Sequence, residues 1–114
     1  MVRRGEVYWL RLAEAVGSQQ AGRRPVLIIQ NNVGNHASPT TIVAAITSQP
    51  RRRQYPFHVP FTAEESDLRV DGTVLCEQVQ TVDRGRLDGL AGSLSQDKMQ
   101  EVDLALHWSL GLEQ

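Results

Sequence analysis

An almost unbroken apolar run, Pro25-Val26-Leu27-Ile28-Ile29-Gln30, constrains this chain more than any other feature. It reads as a central strand buried on both faces. Proline can begin a strand but cannot donate a hydrogen bond into its middle. Its ring also disfavours the helical conformation for the residue before it, so Arg24 is held extended. A polar loop bracketed by Gly17 and Gly22 delivers Arg23 and Arg24 to the mouth of this strand. Arg24 is therefore expected at the rim of a sheet or barrel, its guanidinium aimed at whatever binds there. A planar guanidinium fork can bond two oxygens of one phosphate.

The rest of the chain is organised around more strands. Residues 6–12 are rich in β-formers and give a first strand. Residues 31–35 (Asn-Asn-Val-Gly-Asn) carry turn chemistry. Thr40–Thr47 is a third buried strand, 48–54 a charged loop and 57–60 a short strand ending in proline. A polar, acidic connection over 61–71 leads to a strand over 73–79. Asp83 opens a short helical turn, and 89–92 form a last short strand. Ser95 caps a helix running to about Leu110. Met99, Val102, Leu106 and Leu110 fall on one stripe of that helix, Leu104 and Trp108 on another. A helix apolar on two sides packs on its own sheet and on something else, such as a second subunit. The sum is a mainly β domain with a C-terminal helix, a small SH3-like barrel.

With 114 residues the chain is expected to form one domain, 1–114. No apolar run is long enough for a bilayer, and the N-terminus enters a strand pattern without a leader, so a cytoplasmic location is expected. The single Cys76 excludes an internal disulfide framework and a cysteine-rich zinc site; its alternation with buried neighbours makes it an inert core thiol. His36, His58 and His107 have no metal-ligand spacing. No metal or other cofactor is expected. The net charge of −1 conceals an asymmetry: residues 1–57 carry +6 and residues 58–114 carry −7. A local basic surface of this kind can bind nucleic acid without a basic whole.

Four blocks in order resemble one family: residues 4–8 (Arg-Gly-Glu-Val-Tyr); Gly17-Ser18-Gln19-Gln20 with residues 23–31; residues 39–47; and residues 75–83. The chain resembles MazF/PemK-type toxins of type II toxin–antitoxin systems. The resemblance implies a homodimeric SH3-like barrel that cuts single-stranded RNA (mRNA) at specific sequences without metal. The products are then a 2′,3′-cyclic phosphate and a free 5′-hydroxyl. It also implies a cognate MazE-like antitoxin whose extended acidic tail occupies the RNA groove, and no membrane partner. In the MazF branch the arginine before proline and the threonine closing the third strand carry catalysis, here Arg24 and Thr47.

Ser18, Gln20 and Asn31 are expected to flank the same rim, and Gln78 matches a family position near the substrate. Amide-rich loops suit single-stranded RNA, which is read by splaying its bases. A related branch places an Arg-x-Asp pair before the glutamine; here Leu75-Cys76-Glu77 lacks the arginine. Glu77 is then either a base close to the RNA or a structural partner for an arginine. Arg51, Arg52 and Arg53 form either a phosphate-contacting flap or a solvated loop that keeps an edge soluble. The rival function is a CcdB-like gyrase poison, which shares the barrel and needs no catalytic rim. An inactive nucleic-acid-binding barrel that represses its own operon is the other.

Overall fold

The computed structural model describes residues 1–12, 22–51 and 53–112. In chain order these form β1 (Glu6–Arg11), β2 (Arg23–Ile28), α1 (Asn32–Ala37), β3 (Thr40–Thr47), β4 (His58–Phe61), α2 (Ala63–Ser66), β5 (Gly72–Asp83), a 3-10 turn (Arg84–Arg86), β6 (Leu87–Ser93) and α3 (Gln96–Leu110). The six strands make one antiparallel sheet in the order β4-β5-β3-β2-β1-β6. The mainly β architecture with a closing helix is as the sequence implies.

β2 lies centrally and is buried on both faces, because its residues alternate between two apolar clusters. Leu27 joins Val7, Ala44, Val74 and Cys76 beneath α3, which contributes Met99, Val102 and Ala105. Val26 and Ile28 join Val2, Leu10, Val43 and Val82 on the other side. Burial holds the Cys76 thiol far from ionisation, with a pKa pushed up to about 12 and the Glu77 charge adding to the effect. It is the inert thiol expected.

α3 begins at Ser95, whose Oγ accepts from Lys98 N at 3.1 Å. It ends at Gly111 in the left-handed conformation, φ 70°. Arg4 ties the helix to the sheet through Asp103 at 2.6 Å and the Ile29 carbonyl at 2.9 Å. Leu110 departs from its expected stripe. It is exposed, as are Leu104 and Trp108, while Ala105 takes a place in the core.

Two connections hold more structure than their sequences suggest. The turn expected at 31–35 opens a helix, since the Asn31 side chain accepts from Gly34 N at 2.7 Å as an N-cap. The buried Asn35 then fastens α1, accepting from Thr41 Oγ1 at 2.7 Å and Gln30 Nε2 at 3.0 Å. Within 61–71, Thr62 and Glu65 form a reciprocal capping box around α2. Asp67 follows in the left-handed conformation, φ 58°. A Cβ on Gly92 of β6 would lie 2.3 Å from the Ser66 carbonyl oxygen. Glycine there lets the α2 turn close onto the sheet.

Candidate active site

β2 pairs with β3 from Ile28↔Val43 to Val26↔Ala45 and no further. Beyond that point β2 runs on along β1, with Leu10↔Arg24, while β3 runs on along β5, with Thr47↔Thr73. The two strands therefore part, and the same register carried two places on sets Arg24 opposite Thr47. Both residues line two cavities, one of about 560 Å³ and one of about 480 Å³.

Arg24 is exposed, and among the described residues its guanidinium has no hydrogen-bond or ion-pair partner. Arg23, next to it, is committed elsewhere: it meets Asp88 at 3.5 Å and lies 5.0 Å from the centre of the Trp9 ring. Thr47 is half-buried, and its Oγ1 accepts from Gln49 N at 3.2 Å. A hydroxyl that accepts from the main chain keeps its own proton to donate. The smaller cavity also takes Arg51, Gln78 and Gln80 into its wall and, among the described residues, no carboxylate. Its charge and amides suit a phosphodiester with a base edge beside it.

Glu77 and Gln78 both lie within a bulge of β5. One step along β3, from Ala44 to Ala45, spans four along β5, from Val79 to Leu75. Such a bulge re-aims side chains. Gln78 comes to the Arg24 cavity, whereas Glu77 turns to β4 and meets His58 Nε2 at 3.0 Å. Glu77, taken from sequence as a base near the RNA or a partner for an arginine, pairs instead with a histidine and lines neither Arg24 cavity. Only 8% of the His58 side chain is exposed, and Tyr55 and Phe57 pack edge-on against it.

Asn31 is also displaced from its expected position on this rim. It follows the opposite end of β2 from Arg24, and its side chain is spent on capping α1. Six strand residues span about 20 Å, which keeps the two ends apart. Arg53 is exposed and lines neither Arg24 cavity. Ser18, Gln20 and Arg52 lie outside the described residues. Sequence reasoning missed Trp9, Arg69 and Asp67, which line the larger cavity. Trp9 sits directly across from Pro25 in the β1–β2 ladder, a relation visible only once the register is known.

This architecture has close counterparts. A model of the family described as PemK-like, MazF-like toxin of type II toxin–antitoxin systems matches residues 3–110. Endoribonuclease EndoA of Bacillus subtilis (strain 168) is 46% identical over 112 residues, covering 98% of this chain and 97% of that protein. Among solved structures, the MazE–MazF complex of Deinococcus radiodurans (Form-II) aligns at TM-score 0.80 and 28% identity, over 98% of this chain and 97% of the other. MazF of the same organism (Form-I) aligns at TM-score 0.74 and 30% identity, over 96% of each. The chain belongs to the PemK-like, MazF-like toxin family of type II toxin–antitoxin systems.

Proposed function

We propose that this chain is the toxin of a type II pair and acts as an endoribonuclease, with Arg24 and Thr47 acting together on one scissile phosphodiester of single-stranded RNA. The observation that carries the reading is the Arg24 guanidinium, without a partner among the described residues, sharing two cavities with the Thr47 hydroxyl. The naming of a 46% identical relative as an endoribonuclease supports it. The gyrase-poison alternative is not favoured, since the family model and the 46% identical relative point to an endoribonuclease toxin.

In the proposed step the ribose 2′-oxygen attacks phosphorus as the bond to the 5′-oxygen breaks. One proton leaves the 2′-hydroxyl and one reaches the departing oxygen, leaving a 2′,3′-cyclic phosphate and a 5′-hydroxyl. Arginine stays protonated at any working pH, so Arg24 stabilises charge rather than moving protons. Its fork grips the non-bridging oxygens, and Thr47 donates to the same group. Charge stabilisation of this kind acts where negative charge develops in the transition state. Holding the 2′-hydroxyl in line supplies a further part of the rate.

The reading extends to the partners. A MazE-like antitoxin is proposed as the neutralising protein, on the strength of the Deinococcus MazE–MazF complex. Self-association is proposed through α3, where Leu104 and Trp108 are each 62% exposed. No helix among the described residues is long and apolar enough to cross a membrane, in keeping with the cytoplasmic site of action proposed for an mRNA-cutting toxin.

Purified protein incubated with single-stranded RNA in excess EDTA is expected to cut it, and the fragments to carry 2′,3′-cyclic phosphate and 5′-hydroxyl ends. RNA left whole under both EDTA and added divalent metal, with gyrase inhibited instead, would reverse the assignment. Sequencing the cut ends in the same experiment maps the recognised site.

A further inference from the structure

The larger cavity is lined by residues beyond Arg24 and Thr47 that the phosphate chemistry does not use. Its lining also includes Trp9, Pro25, Leu68, Val70 and Leu90, together with Asp67 and Arg69. Val70 and Leu90 are each 58% exposed, large apolar surfaces left open beside the candidate catalytic pair. At about 560 Å³ the space falls in the ordinary range for a small-ligand site of roughly 300–1,000 Å³. We infer that this cavity is a nucleobase subsite, in which Trp9 receives the base of a nucleotide flanking the scissile phosphate. The inference rests on the endoribonuclease reading and names where that reaction takes part of its specificity.

Three observations favour a base over a peptide side chain. The cavity shares its wall with Arg24 and Thr47, so a nucleotide bonded to the gripped phosphate is already at its mouth. An indole is a stacking platform for any base, and the Arg23 guanidinium, 5.0 Å from the Trp9 ring centre, adds a cation beside it. The lining also carries Asp67 and Asp71, whose carboxylates can accept hydrogen bonds from a base amino group. Asp71 is already used, accepting from Ala63 N at 2.8 Å. The Asp67 side chain has no hydrogen-bond or ion-pair partner among the described residues, and the residue lines the cavity. Asp67 is thus the group placed to select a base bearing an exocyclic amino group over uracil.

The test uses the full chain with Trp108→Phe, leaving Trp9 as the sole indole. The probe is an RNA spanning a mapped cut, made uncleavable by a 2′-deoxy nucleotide on its 5′ side. Binding is expected to change Trp9 fluorescence. Trp9→Ala, made in the otherwise native chain, is expected to weaken binding of this RNA by about 5- to 150-fold, the range found for loss of one base-stacking contact. Trp9→Phe is expected to restore most of the affinity. The penalty should vanish when one of the two nucleotides flanking the cut is made abasic. At that nucleotide, uracil should bind the native chain about 5-fold or more weakly than an amino-bearing base, and Asp67→Asn should erase the difference.

An equal Trp9→Ala penalty on intact and both abasic RNAs, or no penalty on any, would overturn the subsite while native cleavage still upheld the nuclease reading. A Trp9→Ala chain that binds RNA normally but loses an acidic antitoxin-tail peptide would overturn it in favour of a protein-binding pocket. RNA neither bound nor cut by the native chain would overturn both readings together.

Discussion

Arg24→Ala is expected to slow RNA cleavage by about 10²- to 10³-fold, the cost of removing one preorganised donor from a developing oxyanion. The fold should not register the change. The Arg24 side chain is exposed and touches no partner among the described residues, and its backbone stays in the ladder opposite Leu10. Thermal unfolding of the variant should therefore coincide with that of the native chain. Arg24→Lys keeps the charge but loses the two-pronged geometry, so it should recover only part of the lost rate. Single-turnover cleavage of one defined RNA measures all three. An Arg24→Ala chain that cleaves at the native rate would place the chemistry elsewhere.

Leu27→Ala is expected to destabilise the protein by about 2–5 kcal/mol, the usual range for emptying a large apolar side chain from a packed core. Leu27 is fully buried, paired with Val7 on one side and Ala44 on the other, under the face that α3 covers. A loss of that size is a large share of the roughly 5–15 kcal/mol that holds a domain together. Urea unfolding should show the midpoint falling at unchanged slope. Val33→Ala, on the exposed face of α1, should stay within about 0.5 kcal/mol. Equal effects at the two positions would contradict the central place of β2.

The strands were legible in the sequence where burial and β-branching coincide. Thr40–Thr47 has the bounds its run of threonine, isoleucine and valine implies. α1 was not legible, because Asn31-Asn32-Val33-Gly34-Asn35 has the composition of a turn. It becomes a helix through tertiary bonds, chiefly those of the buried Asn35 to Gln30 and Thr41. At the site, Arg24 was legible because proline after arginine fixes both its conformation and its place at a strand opening. The neighbours that Glu77 and Gln78 meet were not legible in the sequence, since the bulge that holds both is a property of the β3–β5 register. Trp9 and Asp67 were hidden for a similar reason. One reaches the cavity through a cross-strand pairing and the other through a left-handed residue after a four-residue helix.

The most direct measurement is a double-mutant cycle on single-turnover cleavage, with Arg24→Ala, Thr47→Val and both changes combined. If guanidinium and hydroxyl hold the same phosphate group, their losses cannot be independent. The combined variant should then lose less than the product of the single losses, a coupling of about 0.5–3 kcal/mol. Losses that simply multiply would mean that the two groups never meet on a common phosphodiester.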